Sequence, residues 1–225
     1  MSDYRIEQYN EVKREIADAL AMAHRAPDAA ELVAVSKTFP AVDILAVYNA
    51  GQRKFGESKA DELAAKAAAL PGDIEWHFIG HLQSNKVRSV VTHARVIHSV
   101  DSAKLLERIE RIAGEEKVKI EALLEVNISG EASKFGLTMA AAEKLVEESR
   151  NMRNVTVTGF MTMAPEGAEE EELVKVFAGL KNLADKCGLQ QLSMGMSGDF
   201  KTALACGAAL VRIGTAIFGK RDYSK

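Results

Sequence analysis

Three short segments of this chain carry residue types suited to chemistry on a phosphorylated carbonyl compound. Lys37 directly follows the apolar run Leu32-Val33-Ala34-Val35 and Ser36. A lysine at the mouth of a buried strand is desolvated, which favours the neutral amine that attacks a carbonyl carbon. On position alone, Lys37 also reads as an exposed loop lysine. The other two segments are Met194-Gly195-Met196-Ser197-Gly198-Asp199 and Arg212-Ile213-Gly214-Thr215. Their glycines let backbone N–H groups approach an anion, Ser197 and Thr215 add hydroxyl donors, and a helix beginning near Asp199 would turn its positive end the same way. Two ordinary glycine turns would have the same composition. Arg212, one strand-end step from these donors, either donates to a ring nitrogen of a bound cofactor or pairs with a carboxylate. Further polar residues follow other apolar runs: Gly56-Glu57-Ser58, Gly80-His81, Asp101-Ser102, Asn127 and Thr162. His77 and His81 have a metal-ligand spacing only on a helix; here a strand end separates them, so no metal is expected. Met161, Met163, Met194 and Met196 read as apolar walls.

Bringing so many strand ends to one rim requires a particular topology. Short apolar runs recur at Leu32–Val35, Arg53–Gly56, Ile74–Gly80, Arg95–Val100, Ile120–Ile128, Val155–Met161, Gln191–Met194 and Leu210–Ile213. Between them lie helical patterns, among them Pro40–Gly51, Lys59–Leu70, Ala103–Ala113, Ala140–Arg150 and Glu169–Lys186, with Glu169–Glu172 as an acidic first turn. Ile6, Tyr9, Val12, Ile16 and Leu20 add an amphipathic helix before the first strand. Strict alternation implies a parallel sheet covered by helices. Eight units of roughly 28 residues match a closed (β/α)8 TIM-type barrel with an extra N-terminal helix better than an open doubly wound sheet. The active rim of such a barrel lies at the carboxyl ends of its strands, and its phosphate site forms after the seventh and eighth.

With 225 residues, 47% of them apolar, and no linker, the chain reads as one domain over 1–225. A net charge of −3 offers no basic surplus for nucleic acid. The opening Met1–Asn10 has no apolar leader, and the apolar runs are too short for a bilayer, so a cytoplasmic protein that engages no membrane is expected. Cys187 and Cys206 lack a metal or redox spacing and fit a reducing compartment. The sequon Asn127-Ile128-Ser129 then goes unread.

The chain resembles, over nearly its whole length, the pyridoxal phosphate homeostasis proteins, single-domain relatives of the alanine racemase barrel. The resemblance rests on eight ordered motifs: Val35-Ser36-Lys37-Thr38, Phe55-Gly56-Glu57, Trp76 through Lys86, His98-Ser99-Val100-Asp101, Glu125-Val126-Asn127-Ile128 with Lys134-Phe135-Gly136-Leu137, Gly159 through Met163, Leu192 through Asp199, and Val211 through Gly219. It implies a Schiff base between Lys37 and pyridoxal 5′-phosphate, a phosphate held by Ser197, Gly214 and Thr215, and Arg212 facing the pyridine nitrogen. It departs where Ser58-Lys59 replaces the family's Asn-Tyr, which removes a polar contact but should spare binding; Phe160 for leucine is an apolar swap.

An arginine at that nitrogen weakens the ring as an electron sink. The related racemases bring a second base from another domain, whereas this chain ends at Lys225. The expectation is therefore a monomeric protein that buffers, carries or delivers the cofactor, with pyridoxal-phosphate-dependent apo-enzymes as candidate recipients and no catalytic residues of its own. A weak amino-acid racemase using Lys37 with His81 or a water, and a Schiff-base aldolase acting without pyridoxal phosphate, are the competing readings.

Overall fold

A computed structural model describes residues 2–130 and 135–220. Strands β1 (Glu31–Val35), β2 (Lys54–Glu57), β3 (Glu75–Phe78), β4 (Val96–Val100), β5 (Ile120–Glu125), β6 (Val155–Met161), β7 (Gln191–Ser193) and β8 (Leu210–Ile213) pair in parallel with their sequence neighbours. β8 pairs in turn with β1, with Glu31 opposite Leu210 and Ala34 opposite Ile213, so the sheet closes into a barrel. This is the (β/α)8 fold expected from the alternation. The helices are α1 (Ser2–Met22), α2 (Ala41–Asn49), α3 (Ala60–Ala69), α4 (Val87–Val91), α5 (Ala103–Glu116), α6 (Met139–Ser149), α7 (Glu170–Cys187), α8 (Phe200–Ala205) and α9 (Thr215–Phe218).

The last two helices are short, six and four residues. The N-terminal helix makes up the deficit: α1 packs against α2, α8 and α9. Tyr9, Val12, Ile16 and Leu20 are buried, and burying each is worth about 1.5–3 kcal/mol, so its stripe rather than its propensity holds α1 in place.

Two apolar layers result. The larger lies between sheet and helices; the smaller fills the barrel, where Val33, Val96, Leu123, Met161 and Leu210 form a separate cluster. Gly56 makes room for it, since a Cβ there would sit 3.1 Å from Val33 Cγ1. The run expected to continue through Ile128 stops as a strand at Glu125. Beyond it the backbone turns to a new partner: Asn127 N–H donates to Leu137 O at 3.0 Å, and Leu137 N–H to Glu125 O at 2.7 Å. Lys134, part of one family motif, lies outside the described residues. Among the described residues no helix is long and apolar enough to cross a membrane.

Candidate functional site

Lys37 is half-buried just beyond β1, in a tight turn closed by Phe39 N–H donating to Ser36 O at 3.1 Å. Thr38 completes that turn at φ 73°, a left-handed conformation that a β-branched residue adopts only when its surroundings impose it. Those surroundings are visible. Thr38 N–H donates to Glu62 Oε1 at 2.6 Å, and Ser36 Oγ donates to Glu57 Oε1 at 2.6 Å. Lys66 Nζ donates to Ser36 O, Glu57 Oε1 and Glu62 Oε1 at 2.7–2.8 Å. Burial pushes the Glu57 carboxyl above its usual range, opposed by the charge and hydrogen bond of Lys66 and by Ser36. Sequence reading noted Glu57 and missed Lys66. Its signal was a charge on the stripe Ala60, Leu63, Lys66, all of which α3 buries.

Lys37, Ser197, Arg212, Gly214 and Thr215 line one cavity of about 640 Å³, together with Gly198 and Asp199. The two glycine segments are joined across it by Ala216 N–H donating to Ser197 Oγ at 3.4 Å. Gly195 starts the first segment at φ +94°, and a Cβ there would lie 2.7 Å from Ala203 Cβ. Gly214 presses on β1, where a Cβ would stand 3.1 Å from Val35 O. Asp199 spends one carboxylate oxygen on its own turn, accepting from Met196 N–H at 2.5 Å. The cavity lining thus combines two hydroxyl-bearing residues, Ser197 and Thr215, two glycines, Gly198 and Gly214, and the lysine Lys37. That donor set fits a phosphate beside a carbonyl group.

Arg212 is only 5% exposed yet reaches the same cavity. Burial pulls its guanidinium down to about 10, opposed by the charges of Asp199 and Glu125. It forms no ion pair among the described residues. Nη1 donates to Ser193 Oγ at 2.5 Å and Nη2 to Thr162 O at 3.0 Å. The carboxylate pairing left open by the sequence is thus not how this arginine is held.

Other rim residues do structural work. Ser102 caps α5 by accepting from Leu105 N–H at 3.3 Å, Thr162 Oγ1 donates to Val126 O at 2.8 Å, and Asn127 Oδ1 accepts from Gly130 N–H at 3.0 Å. His81 is an exposed rim residue stacked on Phe135 and 3.4 Å from Asp101, outside the cavity lining. His77 points into the barrel against His98, so the two histidines diverge. The methionines divide: Met163 and Met196 line the cavity as walls, while Met161 and Met194 are packed inside.

A closed barrel with a lysine after its first strand and a donor cradle after its last two defines a class, and similarity to known proteins narrows it. The family model described as alanine racemase, N-terminal domain, matches residues 13–222. A pyridoxal phosphate homeostasis protein of Vibrio alginolyticus is 41% identical over 210 residues, covering 89% of this chain and 90% of that protein. One from Aquifex aeolicus is 38% identical over 224 residues, covering 96% and 98%. The structure of PipY of Synechococcus elongatus with pyridoxal phosphate bound superposes with a TM-score of 0.79 at 40% identity, covering 91% of this chain and all of that one. The chain belongs to the alanine racemase N-terminal domain family and, within it, to the pyridoxal phosphate homeostasis proteins.

Proposed function

We propose that this chain, as one domain and a monomer, binds pyridoxal 5′-phosphate and holds it as a Schiff base on Lys37. It would serve to buffer, carry or deliver the cofactor, in the cytoplasm and with little or no turnover. The observation that carries the reading is the convergence of Lys37, Ser197, Arg212, Gly214 and Thr215 on one cavity. Lys37 Nζ attacks the aldehyde carbon, a C=N bond forms and water leaves. Ser197 and Thr215 hydroxyls and the backbone around Gly214 hold the phosphate. Arg212 donates to the pyridine nitrogen, and a cation there opposes protonation of the ring and blunts its electron-withdrawing power. The position of His81 outside the cavity lining supports the non-catalytic reading, because racemisation needs a proton acceptor on each face of the substrate. The relatives' names support a role in cofactor homeostasis, with apo-enzymes as recipients.

The test is an absorbance spectrum of the purified protein with added pyridoxal phosphate, before and after borohydride, followed by peptide mapping. An imine band that collapses on reduction, with the label on Lys37 and absent from Lys37→Ala, is expected. Label scattered over surface lysines would sink the assignment. Retention of the α-hydrogen of added amino acids in deuterated solvent is the expected result for a carrier; rapid exchange would make it an enzyme.

A further inference from the structure

Resting on the reading that Arg212 faces the pyridine nitrogen, we propose that Ser193, His98 and His77 are positioning residues. They form a hydrogen-bonded wire through the barrel that fixes Arg212 from beneath and ties it to Glu75 at the opposite mouth. The wire is continuous. Arg212 Nη1 meets Ser193 Oγ at 2.5 Å, Ser193 Oγ meets His98 Nδ1 at 2.8 Å, His98 Nε2 meets His77 Nδ1 at 2.7 Å, and His77 Nε2 meets Glu75 Oε1 at 3.0 Å. The members come from two pairs of adjacent strands, β3 with β4 and β7 with β8.

Its direction follows from which groups must donate. A guanidinium has no acceptor, so Ser193 Oγ accepts from Arg212 and sends its own proton to His98 Nδ1. A bare Nδ1 puts the His98 proton on Nε2, from which it is donated to His77 Nδ1. His77 is thereby fixed as the Nε2–H tautomer, and its proton meets the Glu75 carboxylate. Every member donates toward Glu75, both imidazoles are neutral, and a single arrangement of protons satisfies all four contacts. Burial favours the same state, lowering both histidines, with His77 and Arg212 adding to the effect on His98. The hydrogen bond from His77 holds Glu75 ionised, near 2. The charged groups around the lower end are Glu31 on β1, Lys54 on β2, Glu75 on β3 and Glu121 on β5, which share a small cavity of about 50 Å³ with His77; at the upper end the charges are Arg212 and the carboxylates of Asp199 and Glu125 that act on it.

Such a wire is costly to bury unless every member is paired, and no side-chain atom of these five residues is left buried without a partner. Its effect is to hold the guanidinium at one height and orientation, with the Glu75 charge polarising the chain toward it. Removing Ser193 frees Nη1 to turn, and loss of a donor at the pyridine nitrogen raises the basicity of that nitrogen.

Two measurements test this. The first needs no cofactor: imidazole nitrogen NMR on the full chain should show His77 and His98 neutral at pH near 7, each with its proton on Nε2. A proton on Nδ1 of either one, or a charged ring, overturns the wire. The second follows the ring-nitrogen NMR shift of isotope-labelled pyridoxal phosphate bound to wild type, Ser193→Ala, Ser193→Thr and Glu75→Gln. Ser193→Ala should raise the midpoint of ring-nitrogen protonation by about one pH unit, Ser193→Thr should restore it, and Glu75→Gln should produce a smaller rise. An unchanged midpoint in Ser193→Ala overturns the positioning role, as does a midpoint that Ser193→Thr leaves shifted. If borohydride fails to label Lys37 in wild type, the cofactor assignment falls by itself, and the tautomer measurement still decides the wire.

Discussion

Gly195 and Gly198 stand three positions apart in one segment and are indistinguishable as letters, yet their backbones ask for different things. Gly195 has φ +94°, and a Cβ would lie 2.7 Å from Ala203 Cβ and 2.9 Å from Phe200 Cα. Gly195→Ala should therefore cost about 2–4 kcal/mol, part from the left-handed backbone and part from overpacking against α8. Gly198 has no atom within 4 Å of the corresponding position, so Gly198→Ala should leave stability within about 0.5 kcal/mol. Urea denaturation of the two variants measures both, and equal midpoints would refute the distinction. The candidate site residues were legible in type because Lys37, Ser197, Gly214 and Thr215 each follow an apolar run and Arg212 is the lone charge within the last one. What was not legible is which glycine serves the fold and which borders the cavity, since φ and contact distance leave no trace in composition. Likewise nothing in the letters decided between a ring nitrogen and a carboxylate for Arg212; the carbonyl of Thr162 and the hydroxyl of Ser193 became its partners only through the pairing of β6, β7 and β8.

The turn that presents Lys37 depends on a neighbouring element, because α3 supplies the cation beneath it. Glu57 is fully buried and Lys66 is 8% exposed at the side chain, with Nζ and Oε1 2.7 Å apart. Breaking such a pair from one side leaves a buried charge without its counterpart. Lys66→Met should destabilise the fold by roughly 3–5 kcal/mol, and Glu57→Gln added to it should recover most of that loss. A double-mutant cycle by chemical denaturation checks the coupling; simple additivity would show that Lys66 and Glu57 do not stabilise one another. The same variants should loosen the turn at Thr38, whose φ of 73° depends on Glu62, itself bound to Lys66. Strands and long helices were readable because a strand covered on both sides is a continuous apolar run and a surface helix repeats every three to four residues. The short elements were not. Val87–Val91 after β3 is a single turn and a half with no full amphipathic period, and Ile120–Ile128 stays apolar past Glu125 although its partner changes from β6 to Leu137. Lys66 was hidden by an alanine-rich helix in which a lysine reads as solvated surface.

Closing eight strands creates an interior that helix and strand patterns do not describe, because it is lined by every second residue of all the strands at once. Apolar packing fills its middle with Val33, Val96, Leu123, Met161 and Leu210, while Glu75, His77, His98, Ser193 and Arg212 pass beside that plug as a polar seam. The seam makes stability depend on pH across the whole molecule. His77 and His98 are held neutral in the fold, each below its ordinary 6.5, chiefly by burial. As pH falls through about 6.5 the unfolded chain takes up protons that the folded one refuses, so stability is lost from there downward, by at most ~1.4 kcal/mol per pH unit for each histidine. Glu75 acts in a lower window. Its carboxyl is held at about 2 instead of 4.5, first by the hydrogen bond to His77, so its contribution is present above 4.5 and is lost as pH falls toward 2. Thermal melts should show Tm falling already between about pH 7 and 5, before ordinary carboxylates titrate. Replacing both histidines by glutamine should lower Tm at neutral pH and flatten that first slope, because the glutamines do not titrate. A wild-type Tm that stays level through this range would mean that the two imidazoles take up protons in the fold as readily as in the unfolded chain, and the seam would then lack the single proton order that its distances require.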